Sequence, residues 1–98
     1  MADKLTVVAR IKAKDGLAEQ VKEELKALIT PTRQEPDCLT YILHQSPDDP
    51  HLFLFFECWT SQAALEAHLQ KPHLQAFIAK ADSLLAEPLD VSLWNELA

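Results

Sequence analysis

Residues 38–59 read CLTYILHQSPDDPHLFLFFECW, and this stretch decides the fold. Two runs rich in β-branched and aromatic residues, 38–45 and 51–59, flank the turn-forming cluster 46–50, so the sequence predicts a β-hairpin. In the second run both alternating sets of side chains are apolar, with Glu57 as the charged exception. A strand that is apolar on both faces is buried on both faces. The sheet is therefore expected to be covered on both sides.

The elements before the hairpin follow from hydrophobic periodicity. Alternation over 4–14 predicts a first strand, and the helical spacing of apolar residues over 17–29 predicts a helix with Asp15 as its N-cap. Thr30-Pro31 is expected to end this helix. The polar stretch 31–37 is then interpreted as a loop.

The elements after the hairpin complete the pattern. Thr60 or Ser61 is expected to cap a helix that is interrupted at Lys71-Pro72, with the proline in the first turn of a second piece ending at Glu87-Pro88. Apolar residues at 89, 91 and 93 alternate with the polar residues 90 and 92, which predicts a last strand. The order is β-α-β-β-α-β, typical of an α+β, ferredoxin-like fold with an antiparallel sheet. We expect one such domain over residues 1–98.

The apolar hairpin also predicts a homodimer. Strand 38–45 repeats the pattern, with Leu39, Tyr41 and Leu43 on one face and Thr40 and Ile42 on the other. The helices can cover only one face of the sheet, so a second copy of the chain is the simplest cover for the other face. The alternative is that longer loops cover it.

Composition excludes several classes of function. One glycine in the whole chain rules out glycine-rich phosphate loops, and the net charge of -6 argues against nucleic acid and acidic membranes as partners. No signal peptide or membrane-spanning run is found, so a cytoplasmic location is expected. Cys38 and Cys58, nearly opposite each other in the predicted hairpin, are then expected to stay reduced.

Three segments together resemble the antibiotic biosynthesis monooxygenase domain family: Glu35–Tyr41 (EPDCLTY), Phe53–Trp59 (FLFFECW) and Ala64–His73 (ALEAHLQKPH). The resemblance implies a dimeric α+β barrel. Some members oxidise quinols or polyketide phenols with dioxygen and without a metal or organic cofactor, others degrade haem, and one branch processes a small phosphorylated signal molecule. The chain has Asp37 where the family often has glycine. Its single asparagine, Asn95, is not on the first strand, which disfavours haem degradation.

Three residues are candidates for catalysis, in a predicted pocket between sheet and helices. His68 could take a proton from a phenolic hydroxyl, because the pKa of an imidazole lies near working pH. Trp59 could stack on a flat aromatic substrate, and Tyr41, predicted opposite Phe55, could donate to a substrate oxygen. The structural alternatives are a core tryptophan, a core tyrosine and a histidine bonded to backbone.

Four further residues are candidates for substrate binding: Phe55, Glu57, His73 and Arg10. Glu57 needs a partner among apolar neighbours, and pairing with Arg10 or another cation, or orienting a histidine, would supply one. His73 could instead cap the helix that begins at Pro72. Histidines and cysteines lack the spacing of known zinc motifs, so no metal site is expected.

Three functions remain open at this point. The first is a cofactor-independent monooxygenase acting on a quinol or related aromatic. The second is an isomerase or degradative enzyme for a small phosphorylated signal, which converging Lys or Arg side chains would favour. The third is a non-catalytic dimeric ligand-binding domain, which the absence of a cavity near His68 would favour.

Overall fold

The computed structural model describes residues 4–98, which form a four-stranded sheet and four helices. The strands are β1 (Leu5–Lys12), β2 (Cys38–Gln45), β3 (Leu52–Trp59) and β4 (Asp90–Trp94), and the helices are α1 (Ala18–Ala27), α2 (Ile29–Arg33), α3 (Gln62–Leu69) and α4 (Pro72–Leu84). All strand pairs are antiparallel, in the order β2-β3-β1-β4. The ferredoxin-like α+β fold predicted from the sequence is confirmed.

The helices lie on one face of the sheet, which we call the inner face. Side chains along β1 alternate between buried and half-buried, as expected for a strand with one face against a core. The buried set of β1 belongs to one core with Val21 and Leu25 of α1 and with Leu74 and Phe77 of α4. Within residues 4–98, no helix lies against the opposite, outer face of the sheet.

The first helix differs from the prediction at both ends. The prediction that Asp15 is the N-cap is wrong, since Gly16 adopts a left-handed φ of 81° and Leu17 occupies the N-cap position. The prediction that 31–37 is a loop is also wrong in part, because α2 contains Pro31. A proline in the first turn of a helix loses no hydrogen bond there, so Thr30-Pro31 does not end the helical region.

The second helical region breaks where the sequence predicts. Ser61 is the N-cap of α3, and its hydroxyl accepts from the backbone N–H of Ala64 at 3.1 Å. Pro72 begins α4 after the break. The helix α4 ends earlier than the predicted end at Glu87-Pro88. Its last residue is Leu84, and the next residue, Leu85, pairs with Ala13 in an isolated bridge.

The hairpin has a different register from the one predicted. Tyr41 lies opposite Glu57, two residues from its predicted partner Phe55, and an irregularity between Cys38 and Thr40 adds a residue to β2. A shift of two residues keeps each side chain on its face, so Tyr41 still shares the inner face with β3. Because of the bulge, Leu39 does not share that face and is exposed.

The same irregularity in β2 sets the positions of the two cysteines relative to each other. Cys38 lies opposite Trp59, and Cys58 lies opposite Thr40, so the two are one position apart across the hairpin. Both thiols are free, Cys58 is buried and Cys38 is half-buried. Burial, with the nearby Glu35 carboxylate, raises the pKa of the Cys38 thiol, so the reactive thiolate is disfavoured.

The outer face carries an apolar row across three strands. Ile42, Phe56 and Val8 are paired side by side, and Ile42 and Phe56 keep 44% and 41% of their surface exposed. The prediction that a second chain covers this face stays a prediction. Over residues 4–98, each helix is too short or too polar to cross a bilayer.

Candidate active site

A cavity of about 60 Å³ lies between the inner face of the sheet and the helices. Its walls are apolar except for three side chains, which are Tyr41, Glu57 and His68. A cavity of this volume holds a few water-sized molecules. Half-exposed apolar side chains stand at its rim: Leu69, Ile78 and Val91. A single aromatic ring needs more room than this, so these side chains would have to move outwards to admit one.

Aromatic rings surround the imidazole of His68. Tyr41 stacks on Phe55 with ring centres 4.3 Å apart and meets the His68 ring edge-on at 5.7 Å. Trp59 is fully buried and lies against His68 at 4.5 Å, but it does not line the cavity. The prediction that Trp59 lines the pocket is therefore wrong: it packs behind the histidine and helps to fix it.

His68 is held by a buried carboxylate. Its Nδ1 lies 2.8 Å from Oε2 of Glu35, and both side chains are almost completely buried. Burial lowers the pKa of His68 although Glu35 opposes this shift, which favours the neutral imidazole. With a carboxylate as its partner, Nδ1 carries the proton and Nε2 keeps its lone pair. Because His68 also lines the cavity, Nε2 is the nitrogen available to a bound molecule.

His73 completes a three-residue group with Glu35 and His68. Nε2 of His73 lies 2.9 Å from the same Oε2 atom of Glu35, so the carboxylate accepts from both imidazoles. The break at Lys71-Pro72 brings the two rings together, since His68 lies in the last turn of α3 and His73 in the first turn of α4. The ring of His73 bonds to a carboxylate instead of capping α4, and it does not line the cavity.

Glu57 is a second buried carboxyl group at the cavity. Its Oε1 accepts from the indole N–H of Trp59 at 2.9 Å. Burial raises the pKa of Glu57 to about 7, the Trp59 hydrogen bond opposes the shift, and the negative charge of Glu35 adds to it. Glu57 is therefore partly protonated near neutral pH, and it can both donate and accept hydrogen bonds.

Arg10 does not reach this site. It lies on the outer face and pairs with Glu87 at 3.4 Å near the surface. The prediction that Arg10 pairs with Glu57 is wrong, because period-two alternation sends the two side chains to opposite faces of the sheet. Arg10 does not line the cavity beside His68, so its predicted role in substrate binding stays a prediction without a place in this site.

Tyr41 is held in two ways: its ring packs on other rings, and its backbone carbonyl is bound by Arg33. Nε and Nη2 of Arg33 donate to the carbonyl oxygen of Tyr41 at 3.1 and 2.9 Å, beside the irregular start of β2. Burial, with the neighbouring Glu57 carboxylate second, raises the pKa of the Tyr41 phenol. Tyr41 therefore stays protonated, and its phenol is a hydrogen-bond donor at the wall of the cavity.

The sequence did not identify Glu35 or Arg33 as site residues. Both lie between Ala27 and Cys38, where no periodicity indicates which side chains turn inwards. The available signal was weak: Glu35 is a charged residue next to Pro36, in a segment that resembles the family. Its burial depends on two histidines that are more than thirty residues away in the chain.

Fold and cavity together define a ferredoxin-like α+β protein with polar groups set in an apolar pocket on the inner face of its sheet. The sequence model of the antibiotic biosynthesis monooxygenase family matches residues 4–80. The chain belongs to this family.

Related proteins agree with this assignment. The chain is 34% identical over 93 residues to "Putative monooxygenase Rv0793" of Mycobacterium tuberculosis, covering 95% of this chain and 91% of that protein. It is also 34% identical over 93 residues to the uncharacterized protein sll1783 of a Synechocystis strain, again over 95% of this chain, but it spans only 63% of the length of that protein. The crystal structure of PA3566 from Pseudomonas aeruginosa superposes with a TM-score of 0.94 at 40% identity, covering 100% of this chain and 98% of the other.

Proposed function

We propose that this protein is a cofactor-independent monooxygenase that oxidises a quinol or a related aromatic with dioxygen. The observation that carries the proposal is the pairing of Glu35 with His68, at the wall of an apolar cavity. Such an arrangement supplies a neutral, oriented base in a site with little water. Family membership and the names of relatives support oxygenation in general, and the substrate class is inferred from the cavity.

In the proposed reaction, Nε2 of His68 takes the proton of a phenolic hydroxyl, while Tyr41 donates to the oxyanion and Phe55 contacts the ring. The quinolate gives one electron to dioxygen, and the resulting semiquinone and superoxide combine at a ring carbon. The peroxide then breaks its O–O bond. One oxygen atom stays on the ring and the other leaves as water, so a quinol and dioxygen become a hydroxyquinone and water. The base is regenerated when its proton leaves with the departing oxygen.

The lining of the cavity favours this substrate class over a phosphorylated one. Within the part of the chain that the structure describes, the cavity walls include no lysine or arginine, and Glu57 adds a carboxyl group. A phosphate ester would meet no cation there and would lie close to two acidic side chains, Glu57 and Glu35. The cavity beside His68 also favours a catalytic role over a purely structural one.

The proposal includes a homodimer. The outer-face row of Ile42, Phe56 and Val8 is apolar and partly exposed, and a second copy of the same sheet face would cover it. This arrangement corresponds to the dimeric barrel that the family resemblance implies.

Oxygen uptake with a panel of quinols tests the proposed function. We expect turnover of at least one single-ring or fused-ring quinol, with one oxygen atom incorporated from ¹⁸O₂ into the product. His68→Ala should lower kcat by about 10²–10⁴-fold, the usual contribution of a general base. His51→Ala is the matched control, because His51 lies at the turn end of the hairpin, does not line the cavity and has its ring near Asp49 and Asp15.

Two results would contradict the proposal. One is a panel without any enzyme-dependent oxygen uptake. The other is unchanged turnover in a His68→Ala protein whose circular dichroism spectrum matches the wild type, which would remove His68 from the reaction.

A further inference from the structure

Three metal-binding groups converge beside the cavity. One ligand atom from each of Glu35, His68 and His73 lies within 4.8 Å of the other two. We propose that this triad is a Zn²⁺ site in which a bound ion blocks the base of the proposed reaction. Residues from a loop, from the end of α3 and from the start of α4 would form it, which explains why no spacing motif is visible in the sequence.

The donor set suits zinc. Zn²⁺ accepts imidazole nitrogen and carboxylate oxygen at about 2.0–2.2 Å, and three protein ligands with one water complete a tetrahedral site. Ligand atoms around such an ion are about 3.4 Å apart. The nitrogens of His68 and His73 now lie 2.8 and 2.9 Å from Oε2 of Glu35, so the ligands need to separate by about half an ångström.

The charge around Glu35 also favours a cation. Its carboxylate is buried, and its partners are two imidazoles; over residues 4–98 it forms no salt bridge with a lysine or arginine. Arg33, two residues away in the chain, donates its hydrogen bonds to the carbonyl oxygen of Tyr41 instead. A buried carboxylate is costly unless it is paired with a positive charge. A divalent ion would supply this charge.

The geometry places the ion on the far side of the His68 ring from the cavity. Nδ1 of His68 points to Glu35, and Nε2 is the nitrogen left for the cavity. The side chain of His73 is 21% exposed, so an ion can enter from its side without passing through the cavity. Zn²⁺ has no redox chemistry of its own, so a bound ion would control the site rather than take part in the oxidation.

Binding would change the protonation of His68. An imidazole that coordinates zinc through Nδ1 carries its proton on Nε2, because a neutral ring has only one N–H. The proton therefore moves from Nδ1 to Nε2, and the lone pair that faces the cavity is lost. Zinc would thus stop proton abstraction from a quinol. This consequence rests on the proposed function, whereas zinc binding itself does not.

Calorimetric titration of the chelator-treated full chain with ZnCl₂ tests the site. We expect one ion per chain with micromolar or tighter affinity. His73→Ala should weaken binding at least about 10-fold while the fold is kept, because one of three ligands is lost. Glu35→Gln should weaken it as well. His51→Ala is the control, since His51 with Asp49 and Asp15 is an alternative place for an ion.

The outcomes are distinct. Absence of binding at hundreds of micromolar Zn²⁺, or binding that His73→Ala leaves unchanged, would overturn the site. Loss of binding in His51→Ala with retention in His73→Ala would assign the ion to the hairpin turn and also overturn it. Where a quinol is turned over, half-inhibition should occur at the zinc concentration that half-fills the site. Full turnover by zinc-loaded protein would overturn the blocking of His68. The titration needs no activity, so it remains informative if no quinol is oxidised.

Discussion

Oε2 of Glu35 lies 2.8 Å from Nδ1 of His68, although 33 residues separate them in the chain. The contact joins the loop before β2 to the last turn of α3, and both side chains are buried. In the proposed reaction His68 acts on the substrate and Glu35 positions His68.

Glu35→Gln should lower kcat by about 10- to 100-fold and change KM little. The amide oxygen can still accept from Nδ1, but it lacks the charge that stabilises the imidazolium formed when His68 accepts a proton. Steady-state oxygen uptake gives both constants. Gln20→Glu, an exposed change on α1, is the control. A rise in KM at constant kcat would instead indicate that Glu35 shapes the cavity.

Glu57 should make the folded state less stable as the pH rises through neutrality. Its pKa in the folded protein, about 7, is above the ordinary value of 4.5, so the folded state binds this proton more tightly than the unfolded chain. The stabilisation is complete below pH 4.5 and is lost as the pH rises through 7. Relative to Glu57→Gln, the free energy of unfolding of the wild type should fall by about 3 kcal/mol across this window.

Urea unfolding of both proteins at several pH values measures this difference. The comparison cancels the contribution of His68, whose lowered pKa has the opposite effect on the slope. Parallel pH profiles for wild type and Glu57→Gln would mean that the Glu57 carboxyl titrates alike in the folded and unfolded states.

Trp59→Phe should mainly destabilise the protein, by about 2–4 kcal/mol. The change leaves a cavity behind His68 and deprives the buried Glu57 of its hydrogen-bond donor. Leu97→Ala should cost less than about 0.5 kcal/mol, because Leu97 is exposed and lies outside the sheet. Thermal unfolding by circular dichroism compares the two. Equal shifts in Tm would show that burial of the Trp59 indole and its hydrogen bond to Glu57 contribute little to stability.

Phe56→Glu should dissociate the proposed homodimer. The substitution puts a charge in the middle of the outer-face row, where it would be buried by a second sheet without a partner. Sedimentation velocity at micromolar concentration should give a dimer for the wild type and for Gln20→Glu, and a monomer for Phe56→Glu. A wild-type monomer under these conditions would contradict the dimer.

The sequence predicts the regular elements well because their periodicity records which face is buried. The bounds of β2 are those expected, and Pro72 marks the break between α3 and α4. Period-two alternation also places Tyr41, Phe55 and Glu57 together on the inner face, and helical spacing brings His68 towards them.

What could not be predicted depends on irregular backbone. Backbone N–H groups in the turn at 46–51 donate to the side chains of Ser46 and Asp49. This turn and the bulge near Cys38 together set the register of the hairpin, which alternation alone does not specify. Glu35 lies in a segment without periodicity, so its partners emerge only when α3 and α4 pack over the loop.

Val91, at the rim of the cavity, lies in a different part of the chain from the histidine–carboxylate group. It belongs to β4, an edge strand of five residues paired only with β1, whereas Glu35, His68 and His73 all lie within the segment 4–80 that matches the family. Two lining residues, Leu89 and Val91, are thus encoded outside the stretch that holds this group. The other two rim residues, Leu69 and Ile78, lie within it. Substitutions at 89–94 offer a route to re-engineering ligand choice while the histidine–carboxylate group stays intact.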